Sequence, residues 1–139
     1  MGCLAALTSI CLESSFLIDF LRGVESTRTI YQRLRSEGCS FATTAVTAFE
    51  LFRGVDKRGR IRGEEEALSK LLSRIIIWNL DMASAERGSR IYTELERTGR
   101  PIGVNDCLTA AIALSNGCQK IVSDDEHFQR IPGIERISY

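Results

Sequence analysis

Apolar positions along the chain alternate between two patterns: short continuous runs, and longer stretches with apolar residues three and four apart. Leu7 to Leu12 reads as a first strand ending at Glu13. Ser14 and Ser15 supply the cap of a helix over Phe16 to Leu21, which Gly23 ends. A second helix spans Ser26 to Ser36 with Ile30, Tyr31 and Leu34 inward, and Gly38 closes it. Cys39 to Ala42 makes a second strand. Thr43 and Thr44 cap a third helix, which runs through Val46, Phe49, Leu51 and Phe52 to Gly54. Val55 to Gly63 lacks apolar periodicity. A helix resumes over Glu64 to Leu72, a strand spans Arg74 to Leu80, and Met82 to Thr98 is a long amphipathic helix.

The next stretch joins a loop with Pro101 and Gly103 to a helix opened by Asp106 and carrying Leu108, Ala111, Ile112 and Leu114. Asn116-Gly117 stops it, because both residues tolerate a left-handed cap. Ile121-Val122 is a short strand followed at once by Ser123, Asp124, Asp125 and Glu126, and a weak last strand lies near Ile134 to Ile137. Strands alternating with helices predict a parallel sheet covered on both faces. With no linker, repeat or low-complexity segment, residues 1–139 are expected to form one α/β domain.

Composition changes this picture little. Hydrophobic residues make up 44% and charged residues 26%, ordinary for a globular protein, and the formal net charge is zero. Bulk charge therefore does not advertise a nucleic-acid binder, and any such binding must rest on a local patch. No apolar run approaches the roughly 20 residues of a membrane span. The N-terminus lacks the positive segment of a secretory signal, and Ala6 stands where myristoylation wants Ser or Thr. The five cysteines are odd in number, widely spaced and mostly in apolar segments, which predicts reduced thiols in a cytoplasmic protein. His127 is the only histidine, so no zinc ligand pair is present.

The acids carry the candidate chemistry. Glu13 follows the first strand, Glu50 lies within the third helix, Asp106 opens a helix, and Asp124-Asp125 follow the fourth strand. In a parallel sheet, strand C-termini and helix N-termini share one edge, so these carboxylates are expected to converge there. They would repel one another unless a cation lies between them. Clustered carboxylates without His or Cys select a hard ion, Mg²⁺ or Mn²⁺, and the chemistry such an ion serves best is phosphodiester hydrolysis by activated water. His127 is then not needed as a base and reads as structural, as do Trp78, Tyr31, Phe41, Phe49 and Phe52; Asp19 reads as a surface or salt-bridged residue. No glycine-rich phosphate loop follows the first strand, which argues against a nucleotide cofactor.

The segments ICLESSFLIDFLRG, TTAVTAFELFRG and GRPIGVNDCLTAAIAL…KIVSDDEHFQRIPG, in this order, resemble PIN domains, especially the toxin ribonucleases of VapBC toxin–antitoxin pairs. The resemblance covers nearly the whole chain. It implies a Rossmann-like three-layer α/β/α sandwich with a central parallel sheet of four to five strands, and RNA cleavage with Mg²⁺ or Mn²⁺ held by three or four acids. A homodimer and a silencing antitoxin partner are implied as well. By position, the family's acids fall on Glu13, Glu50, Asp106 and Asp125, with Asp124 a possible substitute as metal ligand. Ser15 and Ser123 fall where small polar residues orient metal-bound water. Glu13 departs from the family's aspartate, so the alternative is a degenerate PIN domain that binds RNA or protein without cutting. A phosphatase or receiver-like domain is a third reading, weakened by the lack of a phospho-acceptor aspartate after the first strand.

Arg53, Lys57, Arg58, Arg60 and Arg62 crowd the region after Glu50 with only Asp56 opposing, and would supply sequence-independent contacts to RNA phosphates. Arg22 and Arg100 are lesser candidates. In the resembling toxins this region and the preceding helices often form a clip filled by the antitoxin.

Overall fold

The computed structural model describes residues 8–139. Cys3, Leu7 at the start of the expected leading strand and the expectations about the N-terminus lie outside the described residues. Five strands form one sheet: β1 (Ser9–Leu12), β2 (Ser40–Thr44), β3 (Ile76–Trp78), β4 (Lys120–Val122) and β5 (Glu135–Ile137). The helices are α1 (Ser14–Leu21), α2 (Glu25–Ser36), α3 (Ala45–Lys57), α4 (Arg62–Leu72), α5 (Met82–Arg97) and α6 (Val104–Ser115). A 3-10 helix, Glu126–Arg130, links β4 to β5.

The strand order is β3-β2-β1-β4-β5, and every pairing is parallel. The chain builds outward from β1 to β3, then crosses back to lay β4 on the other side of β1. The crevice at the C-terminal ends of β1 and β4 is thus the point where winding reverses, the place where open α/β sheets gather their sites. Cys11 is paired with Ile121 and Leu12 with Val122, which brings the residues that follow, Glu13 and Ser123, to the rim of that crevice.

Alternation along β1 fixes the three layers. Ile10 and Leu12 face Phe16, Leu17, Leu34, Leu51, Val55 and Leu68 from α1 to α4. Cys11 faces Leu95, Ile102, Cys107, Ala110 and Ala113 of α5, α6 and the loop between them. The α5–α6 contact is close because Gly88 has no side chain: a Cβ there would stand 3.2 Å from Leu108 Cδ2 and 3.4 Å from Ala111 Cβ. On each side of the sheet, burying a residue such as Phe16 or Phe128 contributes roughly 1.5–3 kcal/mol.

Several elements differ from the sequence expectation. The N-cap of α1 is Glu13 rather than Ser14 or Ser15, its side chain accepting from the Ser15 amide. Thr43 and Thr44 belong to β2, and Thr44 also caps α3 by accepting from the Thr47 amide at 3.0 Å. Gly54 does not stop α3. The helix runs to Lys57 because the inward row Thr47, Leu51 and Val55 continues past it, and burial of Val55 offsets the ~1 kcal/mol helix penalty of one glycine. The turn comes at Gly59 and Arg60, both at positive φ, so most of the stretch expected to be irregular is helical. That inward row also turns Phe49 (61% exposed) and Phe52 to solvent, against their expected packing role. β3 is a three-residue edge strand with Ile76 exposed, although Trp78 packs on the core. α6 starts at Val104, so Asp106 is its third residue, in the first turn.

Candidate active site

Glu13 is the anchor of the crevice. Placed at the end of a buried central strand, it is only 6% exposed, and a buried carboxylate must be paired or hydrogen-bonded. Its Oε1 accepts from the Ser15 amide at 3.2 Å, the Ser15 hydroxyl at 2.8 Å and the Ser123 hydroxyl at 2.6 Å. Its Oε2 accepts from the Ser14 hydroxyl at 2.7 Å. The strand end stays regular, with the Glu13 amide donating to the Val122 carbonyl at 3.2 Å. The longer side chain is therefore accommodated by its own reach and not by bending the backbone.

Ser15 and Ser123 pass this anchorage on. The Asp124 amide donates to Ser15 Oγ at 3.0 Å and the Asp125 amide to Ser123 Oγ at 2.9 Å. Each hydroxyl thus gives its proton to Glu13 and its lone pair to the loop after β4. That fixes the loop and engages the groups that were expected to orient water.

The other wall comes from α3 and α6. Thr44, Thr47 and Thr109 bring their hydroxyls to within 3.3–3.5 Å of one another in a buried cluster between these helices. One turn further along α3 from Thr47 lies Glu50; one turn back along α6 from Thr109 lies Asp106. Asn105, to which the sequence assigned no role, donates from Nδ2 to Glu50 Oε2 at 3.2 Å. Burial raises the Glu50 carboxyl above its ordinary range, with Glu13 adding to the rise; the hydrogen bonds from Asn105 and Ser14 oppose it.

Asp106 is perturbed more strongly. Burial, then the charges of Glu13, Asp125 and Glu50, push its carboxyl up to about 6, with His127 acting in the opposite direction. None of Glu13, Glu50 and Asp106 is in an ion pair with an arginine or lysine among the described residues. Asp125 caps the 3-10 helix through the His127 amide at 2.9 Å, and His127 Nδ1 stands 3.3 Å from Asp125 Oδ1.

One acid/histidine group among the described residues has ligand atoms all within 4.8 Å of one another: Asp106, Asp125 and His127. Of the five carboxylates expected to hold metal, Asp106 and Asp125 are brought together, while Glu13 and Glu50 border them and act on Asp106 through their charge. Asp124 is exposed, and its charge acts on Tyr139. Asp106, raised first by burial and then by three neighbouring carboxylates, lies where a divalent cation would offset that charge, and the donor set is of the kind such an ion takes.

A family model for the PIN domain matches residues 10–134. The chain belongs to the PIN-domain family. This PIN domain is 27% identical over 106 residues to the tRNA(fMet)-specific endonuclease VapC of Shigella flexneri, covering 76% of this chain and 80% of that one. It is 28% identical over 101 residues to the Ribonuclease VapC2 of Rickettsia felis, covering 73% and 75%. Among solved structures, VapBC2 of Rickettsia felis bound to a DNA fragment from its promoter superposes with a TM-score of 0.85 at 23% identity, over 95% of this chain and 99% of that one. DNA-bound VapBC of Salmonella typhimurium gives 0.83 at 25% identity, over 95% and 98%. The sandwich and its parallel sheet are those of PIN-domain VapC structures.

Beside the crevice, the PIN domain has a hollow of about 390 Å³ between α1, α3 and α4, lined by Ile18, Leu21, Leu51 and Val55 with Arg22, Glu50 and Arg58 at its polar part. The basic cluster expected to meet RNA is partly committed elsewhere. Arg58 pairs with Glu64 at 2.9 Å, Arg60 with Asp56 at 2.8 Å and Arg62 with Glu66 at 3.5 Å, leaving Arg53 and Lys57 as its exposed cations outside any ion pair among the described residues. Asp19 is in no ion pair among the described residues and accepts from the Tyr139 hydroxyl at 2.8 Å. Cys11, Cys107 and Cys118 are buried free thiols, and burial raises the pKa of each. No helix among the described residues is long and apolar enough to cross a membrane.

Proposed function

We propose that this PIN domain is an endoribonuclease that hydrolyses RNA with Mg²⁺ or Mn²⁺, acting in the cytoplasm as the toxin of a toxin–antitoxin pair. The observation that carries the reading is the approach of Asp106 and Asp125 at the winding reversal of the sheet, with Glu13 and Glu50 close enough to raise Asp106. The names of the relatives, a tRNA(fMet)-specific endonuclease and a ribonuclease, support the substrate class.

Asp106 and Asp125 would hold the ion, with Glu50 beside them. A divalent ion bound there supplies an activated water and offsets charge on the phosphate. The chain's own residues provide the frame. Glu13 holds the loop after β4 through Ser15 and Ser123, and Asn105 orients Glu50. Arg53 and Lys57 offer phosphate contacts; Arg58, Arg60 and Arg62 join by giving up surface pairs worth about 0–1 kcal/mol each.

The hollow between α1, α3 and α4 is where an antitoxin segment would lie, consistent with the presence of VapBC structures among the neighbours. Assembly as a homodimer is part of the same reading.

The second reading, a PIN domain that binds without cutting, is favoured by the four donors that occupy both oxygens of Glu13. One experiment separates the two. Purified protein is incubated with labelled RNA and Mn²⁺ or Mg²⁺, alongside Asp106→Asn and Glu13→Asp. The ribonuclease reading expects chelator-sensitive cleavage lost in Asp106→Asn. Binding without cleavage, with activity appearing only in Glu13→Asp, would establish the second reading.

A further inference from the structure

Glu13 stands at the rim of the crevice, and its two oxygens are taken by four donors from Ser14, Ser15 and Ser123. Three of these bonds hold the fold as well, since Glu13 caps α1 and fixes the loop after β4. An ion entering beside Asp106 and Asp125 therefore meets in Glu13 a carboxylate whose oxygens are already hydrogen-bonded. The third donor within 4.8 Å of both aspartates is a nitrogen, that of His127.

The placement of that ring follows from local structure. Asp125 caps the 3-10 helix, and the His127 amide it captures is the backbone of the same histidine whose Nδ1 stands 3.3 Å from Asp125 Oδ1. The cap thus fixes the start of the side chain beside the carboxylate. The side chain is 49% exposed, so the ring keeps room to turn either nitrogen toward the aspartates. An imidazole coordinates a metal through the lone pair of either ring nitrogen.

We infer that His127 is a nitrogen ligand of the divalent ion and gives this site a preference for Mn²⁺ over Mg²⁺. The inference rests on the reading that Asp106 and Asp125 hold such an ion. Mg²⁺ keeps to oxygen donors and retains its waters, whereas imidazole suits the transition metals, so an Asp–Asp–His set discriminates where an all-carboxylate set would not.

The full-length protein is loaded with Mn²⁺ and studied by pulsed electron paramagnetic resonance, which detects ¹⁴N coupled to the ion. Mn²⁺ and Mg²⁺ affinities are measured by calorimetry for wild type, His127→Ala and His127→Asp. The expected result is a nitrogen coupling in wild type that is absent from both variants. His127→Ala should lose about tenfold in Mn²⁺ affinity with Mg²⁺ changed less than about twofold. His127→Asp should restore binding without restoring the Mn²⁺ preference. Because the ring is exposed, both variants are expected to keep the wild-type circular dichroism spectrum. Bound Mn²⁺ with no nitrogen coupling, or equal losses for both ions, overturns the assignment of His127 and leaves the carboxylate site standing. No Mn²⁺ binding by wild type overturns both.

Discussion

The carboxylates of the crevice are held in unlike ways, and each arrangement has a measurable consequence. Glu13 is buried and satisfied by hydrogen bonds, among which the Ser123 bond, at 2.6 Å, is the shortest. Ser123→Ala removes that donor and also the acceptor of the Asp125 amide, so urea denaturation should report a loss of about 1–3 kcal/mol. Asp106 is instead half-buried and crowded by like charge. Its folded pKa, about 6, lies above the ordinary 3.8, so the folded metal-free protein binds this proton more tightly than the unfolded chain. The group's contribution to stability is therefore present below pH 4 and is lost as pH rises through 6. Asp106→Asn should make the metal-free protein more stable at pH 8, by about 1 kcal/mol once solvent screening of a part-exposed group is allowed for, with the gain vanishing toward pH 4. Thermal melts in chelator at the two pH values check both size and sign. The candidate acids were legible in sequence because each sits just past a strand or in a helix on the same edge. Asn105 and His127 were not, since their roles depend on where the first turn of α6 and a 3-10 cap aim two side chains, and neither leaves a periodic trace.

Among the elements, α3 and α6 set the width of the crevice. Their buried contact is polar, the hydroxyls of Thr44, Thr47 and Thr109, and it lies one turn below Glu50 and Asp106. Thr109→Val keeps the shape and removes one hydroxyl, which should cost about 1 kcal/mol. Thr109→Ser keeps the hydroxyl and should retain more of it, and denaturant midpoints of the two variants distinguish a hydrogen-bonding role from simple packing. The strand–helix alternation was readable because apolar runs and helical spacing differ plainly. Boundaries were less so. Gly54 read as a stop in sequence, but burial of Val55 one residue later carries α3 through it. The charged stretch after it looked irregular because an exposed helical turn stabilised by Arg–Asp and Arg–Glu pairs has no apolar period to reveal it.

Taken whole, the molecule is a parallel sheet whose winding reverses beside β1, and that reversal is what makes residues about 110 apart in sequence, Glu13 and Ser123, hydrogen-bond neighbours. A parallel sheet was implied by the alternation of elements, but the order β3-β2-β1-β4-β5 was not, because apolar strands carry no mark of their partners. The family's pattern of acids supplied the missing long-range information, since residues that serve one ion must share one edge. A partner segment in the hollow between α1, α3 and α4 would lie against Glu50 and Arg22, so binding there should be felt at the acidic crevice. Replacing Leu21 by Glu places a charge in the apolar part of that hollow. It should weaken capture of an antitoxin peptide while leaving metal affinity unchanged, as paired calorimetric titrations would reveal.

The central claim is that the carboxylates around Asp106 converge to bind one divalent ion, and proton counting tests it most directly. With Asp106 at about 6, an ion that needs it deprotonated must displace about half a proton at pH 6 and almost none at pH 8. Mn²⁺ titrations in two buffers of different ionisation enthalpy measure this number. Measured in a His127→Ala background, so that the imidazole adds nothing to the count, the account predicts release of about half a proton from Asp106 at pH 6, little at pH 8, and loss of that release together with tight binding when Asp106→Asn is added. Mn²⁺ binding that releases the same number of protons at both pH values, or that is unaffected by Asp106→Asn, would contradict it.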